Sequence, residues 1–231
     1  MAAHGTGAGP RRPGPVPLGP GDGGPAVAGL LLAAGGGRRL GGRPKALLEH
    51  RGRLLVEHAA DALVAGGCRP VHVVLGAGRE EVRARARLAG CVLVDNPEWA
   101  EGVGSSLRAG LRSLAGSGAQ AVVVALVDQP GVGPEAVRRV RGAHRSPYGL
   151  AAASYRGRRG HPVLLGAGHW ARIASAASGD RGARDFLRAH REAVVPVDCG
   201  DAADPSDIDV PADLRLLRPP PPSNAPTSAG L

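Results

Sequence analysis

The 231-residue sequence is poor in the groups that mark several protein classes. Its 3 cysteines, Cys68, Cys91 and Cys199, are scattered and odd in number, which excludes a disulfide framework and a cysteine metal site. Such thiols suit a reducing cytoplasm, the expected location. With 2 Trp, 2 Tyr and 1 Phe, the chain lacks the aromatic platforms on which nucleic-acid bases stack. Its basic residues are spread along the chain, so the formal charge of +9 does not make it a nucleic-acid binder. No run approaches the roughly 20 apolar residues of a membrane helix. The pair Arg11 and Arg12 precedes no apolar run, so neither a secretory nor a twin-arginine signal is expected. Lysine, like methionine and phenylalanine, occurs once: Lys45 stands alone against 28 arginines. A chain this biased toward arginine keeps lysine where a compact ammonium is needed and a wide planar fork does not serve.

What the chain has in excess is glycine and proline, 37 and 21 residues, concentrated at the two ends. Residues 1–25 and 218–231 are expected to be disordered tails around one domain, residues 26–217, which is long enough to bury a single core. Within it, apolar runs bounded by turn residues predict strands at Val27–Ala33, Val71–Leu75, Cys91–Val94, Ala121–Val127, Leu150–Tyr155, Pro162–Leu165 and Val194–Val197. Helical periodicity predicts helices at Leu54–Ala65, Glu80–Leu88, Ser105–Leu114, Pro134–His144, His169–Ala177 and Arg181–His190, with a short one from Pro211. Arg156–Gly160 reads as a polar turn between two strands. This alternation predicts a single Rossmann-like three-layer α/β domain with a mainly parallel, mixed sheet, and ligands at the carboxyl ends of its strands.

The first strand runs into Ala33, Ala34, Gly35, Gly36, Gly37, Arg38 and Arg39, and on to Lys45. Glycines let backbone N–H groups approach an anion, and the basic residues neutralise it, so the loop is expected to hold nucleotide phosphates. It is not a Walker A loop, because Pro44 precedes Lys45 and Ala46 follows it. It is not a dinucleotide fingerprint either, since the third glycine of that motif falls on Leu40. Asp128 ends an apolar strand in Asp128-Gln129-Pro130, a position suited to Mg²⁺ over a triphosphate. Asp207 and Asp209 lie on one face of an extended segment, and either can supply a second metal ligand. Asp213 belongs instead to the first turn of the last helix. Ser105 and Ser106 open a helix, where hydroxyls bind phosphate or simply cap. His161 and the segment Asp180, Arg181 to Arg184 are late polar turns suited to an anionic acceptor.

Taken in order, these motifs resemble the molybdenum cofactor cytidylyltransferase family within the MobA-like NTP transferases. The residues that carry the likeness are Leu32-Ala33-Ala34-Gly35 through Arg39-Leu40-Gly41 to Lys45, Gly104-Ser105-Ser106, Asp128-Gln129-Pro130, Gly160-His161-Pro162, the stretch from Gly179 to Arg184, and Asp207-Ile208-Asp209 to Leu214. Leu40 replaces the usual Met and Val210 the usual Thr, and neither change removes a charge or a ligand. The resemblance implies transfer of CMP from CTP to molybdopterin. Lys45, Asp128 and Arg38 would be catalytic, Ala33 to Arg39 with Lys45 would bind nucleotide, and Asp128 and Asp209 would hold Mg²⁺. Ser105, Ser106, His161, Asp180, Arg181 and Arg184 would bind the anionic pterin, and a molybdoenzyme or its chaperone would be the protein partner. Ala33-Ala34 goes with cytosine nucleotides in that family. Three other functions compete: nucleotidyl transfer to another phosphorylated small molecule, an NAD(P)H-dependent oxidoreductase of the nicotine blue oxidoreductase type, and a nucleotide-binding cofactor chaperone.

Overall fold

A computed structural model describes residues 26–218. The tails expected at residues 1–25 and 218–231 lie outside the described residues, apart from Arg218, which follows the last helical turn. In chain order the elements are β1 Val27–Ala33, β2 Glu49–His50, β3 Arg53–Leu54, α1 Leu55–Ala65, β4 Val71–Leu75, α2 Arg79–Arg85 and β5 Cys91–Asp95. They continue with α3 Val103–Ser113, β6 Ala121–Leu126, α4 Pro134–Gly142, β7 Leu150–Tyr155, β8 Arg158–Gly166, α5 Trp170–Ala176, α6 Arg184–Ala189 and β9 Val194–Asp198. A 3-10 helix at Pro211–Leu217 follows.

Seven strands form one sheet in the order β5-β4-β1-β6-β8-β7-β9, while β2 and β3 make a small separate hairpin that the sequence reading did not anticipate. Every neighbouring pair in the large sheet is parallel except the two that β8 makes, with β6 and β7. Side chains alternate between the faces of β1, as the two-residue period of a strand requires. Val27, Leu31 and Ala33 join a core that includes residues of α1 and α4, while Ala28, Leu30 and Leu32 join another with α3, α5 and α6. Burial on both faces explains why the central strands are continuous apolar runs rather than alternating ones. From β1 the chain moves outward through β4 to β5, then returns to place β6 on the other side of β1. That reversal opens a crevice at the carboxyl ends of β1 and β6, where such sheets bind ligands.

Three of the shifted boundaries have a visible cause. Helix α2 stops at Arg85 rather than Leu88, because the Glu57 carboxylate accepts the Arg87 N–H at 2.7 Å and Ala86 turns extended. The segment expected as one helix from Arg181 to His190 is broken at Gly182, whose φ is +51°, so α6 starts only at Arg184. The turn expected over Arg156–Gly160 is only Arg156 and Gly157, both at positive φ, closed by the pair Tyr155 and Arg158. Positive φ at both central residues gives a twist that matches the flanking strands, so Arg158 to His161 continue as β8.

Candidate active site

A cleft of about 1910 Å³ sits over the carboxyl ends of β1 and β6. Its first wall is the loop that follows β1. Ala33 turns its side chain into the core, 1% exposed, and Ala34 is the first residue of the loop to line the cleft. Gly35, Gly36, Gly37, Arg38 and Arg39 follow along the same wall. Gly36 passes against the indole of Trp99, where an added Cβ would stand 2.8 Å from the ring. Gly37 has a φ of +60°, and its carbonyl accepts the N–H groups of Leu40 at 2.8 Å and Gly42 at 3.0 Å. The loop therefore folds back on itself and delivers Lys45 to the crevice.

The Lys45 ammonium donates to Asp128 Oδ2 at 2.7 Å and to Asp209 Oδ1 at 2.6 Å. Asp128 lies just past β6, at the site expected from the sequence. Asp209 arrives from far along the chain because Ile208, fully buried, anchors its segment in the core and donates its N–H to the Asp128 carbonyl at 2.9 Å. The two aspartates flanking Ile208 then part company. Asp209 meets Lys45, whereas Asp207 accepts a hydrogen bond from Gln129 Nε2 at 2.7 Å. Asp213 accepts the N–H groups of Asp209 and Val210, each at 3.0 Å, and so fixes the start of the last helix.

Burial alone would lower the Lys45 ammonium's pKa, but the carboxylates of Asp128 and Asp209 outweigh it and hold it above its ordinary value. Burial, and then the neighbouring Asp128, raises the Asp207 carboxyl above the usual range despite the Gln129 hydrogen bond. Arg39 reaches Asp209 only at 3.7 Å and is 73% exposed, and Arg38 donates to the Ala100 carbonyl at 3.4 Å, so both guanidiniums stand at the cleft's rim. Two carboxylates that meet one cation suit a divalent ion, which takes one or two protein carboxylates and fills its remaining positions with phosphate oxygens or water. Among the described residues no group of three or more His, Cys, Asp or Glu that could hold a metal ion is found.

The remaining expected residues divide. Ser106, His161, Asp180, Arg181 and Arg184 line the cleft. Ser105 does not: it is 2% exposed, accepts from Asn96 Nδ2 at 2.9 Å and donates to the carbonyls of Glu98 and Gly102. Its hydroxyl is consumed in holding the start of α3. The cleft also includes Trp99, Tyr155, Arg156, Arg158 and Arg159, which the sequence reading missed. Arg159 carried no sequence signal of its own: it lies in β8 just before a register shift in the pairing with β7.

The family model for the MobA-like NTP transferase domain matches residues 29–194. A nicotine blue oxidoreductase from Paenarthrobacter nicotinovorans is 45% identical over 201 residues, covering 84% of this chain and 97% of that protein. A molybdenum cofactor guanylyltransferase from Cereibacter sphaeroides is 39% identical over 136 residues, 58% of this chain and 65% of its own length. Among solved structures, Rv0371C from Mycobacterium tuberculosis in complex with manganese superposes with a TM-score of 0.69 at 27% identity, covering 83% of this chain and 97% of that one. No helix of the described residues is long and apolar enough to cross a membrane. The match spans β1 to the start of β9 and includes the loop, Lys45 and Asp128, and on it the chain belongs to the MobA-like NTP transferase family of nucleotidyltransferases.

Proposed function

We propose that this protein transfers CMP from CTP to the terminal phosphate of molybdopterin and releases pyrophosphate, with Mg²⁺ as the metal and the cytoplasm as its location. The observation that carries this reading is the meeting of Lys45, Asp128 and Asp209 at the end of the glycine loop. Asp128 and Asp209 would hold Mg²⁺, which supplies neutralisation of phosphate charge when bound. The backbone from Gly35 to Gly37, with Arg38, Arg39 and Lys45, holds the triphosphate in line for attack. An acceptor phosphate is already ionised at neutral pH, so alignment and charge neutralisation are the work required and no general base is needed. His161, the one histidine among the cleft-lining residues, fits that account: burial, then Arg184 and Arg159, push its pKa down to about 4, and it stays neutral.

Ser106, His161 and the segment from Asp180 to Arg184 receive the acceptor, and Ser105 acts through the position of α3. The guanylyltransferase relative supports a molybdenum cofactor acceptor. The base preference rests on Ala34, which lines the cleft where the family pairs Ala-Ala with cytosine nucleotides. A molybdoenzyme or its chaperone would receive the product. The test is Mg²⁺-dependent pyrophosphate release from CTP, GTP and ATP, with and without molybdopterin, in wild type and Asp128→Ala. Release that needs CTP, the acceptor and Asp128 supports the proposal; release from GTP alone overturns the base preference.

A second reading is favoured by one observation, the 45% identity to a nicotine blue oxidoreductase over nearly its full length. Under it, NAD(P)H occupies the same cleft and a hydride passes to a bound dye. Oxidation of NAD(P)H on adding the dye, with no pyrophosphate release from any nucleotide, replaces the first reading with the second.

A further inference from the structure

The cleft contains a second charged centre, apart from Lys45 and its two aspartates, built by β8 and α6. A register shift in the β7–β8 pairing falls between Arg159 and Val163, and across it Arg159 and His161 of β8 both line the cleft. Arg159 Nη1 donates to the Leu187 carbonyl at 3.1 Å, which pins the guanidinium against α6 and leaves its other N–H groups available. Arg184 opens that helix. All three side chains line the cleft, above the aliphatic surface of Leu107, Val163 and Leu187. Of the neighbouring arginines, Arg181 at 3.1 Å and Arg188 at 3.0 Å are paired to Asp185, while Arg156 and Arg158 line the same cleft and add to its positive charge. Among the described residues neither Arg159 nor Arg184 has a carboxylate within salt-bridge distance.

His161 stands close to both guanidiniums, and its ring makes no hydrogen bond among the described residues. Its main chain is fixed nonetheless, since the Tyr155 hydroxyl donates to its carbonyl at 2.7 Å. Because burial and the two arginines keep the ring neutral, it offers one N–H donor and adds no charge. The centre thus presents two planar cationic forks and one neutral donor over an apolar floor. Arg159 and Arg184 are both exposed to the cleft and open to an anion from solution, and guanidiniums hold oxyanions by paired N–H bonds.

We propose that Arg159 and Arg184, with His161 beside them, form a second anion site that binds a dianionic oxyanion group of the acceptor. The inference deepens the nucleotidyltransferase reading and rests on it for the word acceptor. On this view the acceptor is held by charge at one end while the rest of it lies over the floor beside α3.

The test uses inorganic phosphate as the probe and the full-length protein saturated with CTP and Mg²⁺, so that the nucleotide site is filled. Phosphate binding is followed by ³¹P NMR titration in wild type, Arg159→Gln, Arg159→Lys and Arg184→Gln. The expected result is phosphate binding to the CTP-loaded wild type that weakens about tenfold in either Gln variant, with the CTP affinity unchanged. Arg159→Lys should recover only part of the loss, because it restores the charge and not the fork. Phosphate that does not bind the loaded wild type, or that binds the Gln variants equally well, overturns the site. If CTP itself fails to bind, the nucleotidyltransferase reading falls separately. The same variants titrated in the nucleotide-free Lys45→Ala background then decide the anion site alone.

Discussion

Replacing Gly37 with alanine separates the shape of the phosphate loop from its charge. A Cβ at Gly37 would stand 1.9 Å from the Arg43 carbonyl oxygen, where a carbon and an oxygen come no closer than about 3.3 Å. The loop must therefore open by roughly 1.4 Å, disturbing the hydrogen bonds that Leu40 and Gly42 donate to the Gly37 carbonyl. The left-handed φ of +60° adds a penalty for any side chain, about 1 kcal/mol. Gly41→Ala is the matched comparison: its φ is +72° and an added Cβ meets nothing within 4 Å. Gly41→Ala should lose about 1 kcal/mol of stability in urea unfolding. Gly37→Ala should lose a further ~1–2 kcal/mol through the disturbed hydrogen bonds. Displacing phosphate donors by about 1 Å is worth on the order of a hundredfold in rate, so kcat/KM for pyrophosphate release should fall by that factor in Gly37→Ala and within threefold in Gly41→Ala. Trp99 touches Gly36 and is one of 2 tryptophans, so its fluorescence reports nucleotide binding in both variants. Equal rates in the two alanine variants would refute the argument that the folded-back loop aligns the triphosphate.

Lys45→Arg keeps the charge but replaces a single nitrogen that meets two carboxylates with a planar fork; kcat should fall by about a hundredfold or more, as for loss of an oxyanion donor, and wild-type turnover would contradict the role given to the ammonium. Asp209→Asn should weaken Mn²⁺ binding in the presence of CTP by about tenfold or more while Asp207→Asn changes it little, since Asp207 is engaged by Gln129; Mn²⁺ electron paramagnetic resonance gives both affinities, and the reverse order reassigns the ligand. Ile208→Ala empties a fully buried site and should cost ~2–5 kcal/mol in urea, with a parallel loss of CTP-dependent Mn²⁺ affinity as Asp209 comes loose; a stability loss with metal affinity intact would remove Ile208 as the anchor. His161 stays neutral in the fold down to about pH 4, whereas the unfolded chain binds its proton near pH 6.5. Stability is therefore lost as pH falls from about 6.5 to about 4, by an order of ~1–3 kcal/mol for this group, and His161→Gln should remove that share when urea unfolding is compared at pH 7.5 and pH 5.

What was readable in the sequence follows from how far each signal reaches. Strands buried on both faces are short apolar runs, so β1, β4 and β6 announce themselves within five to seven residues, and a strand that must end at a ligand crevice puts Asp128 next to its run. The limits of α2 and the role of Ser105 are set from elsewhere: the Glu57 carboxylate 30 residues away ends the helix, and Asn96, 9 residues upstream, claims the serine hydroxyl. A serine at a helix start looks the same in sequence whether it faces a ligand or the interior.

The hairpin joining β7 to β8 shows the same limit in a sharper form. Two-residue turns with positive φ at both positions favour Asn or Gly in the first, and here it is Arg156, at φ +51°. The chain accepts a backbone conformation that costs a residue with a Cβ about 1 kcal/mol, and by doing so keeps an arginine lining the cleft beside Arg158 and Arg159. Read locally, that run of arginine and glycine is a loose polar turn. In the folded chain the tight turn begins the strand at Arg158, four residues before the expected start at Pro162, and the register shift between Arg159 and Val163 then sets how His161 is presented. The acceptor side of the cleft therefore depends on a turn conformation that local residue preference argues against, whereas the nucleotide side depends on a glycine loop and one lysine whose preferences agree with their structure.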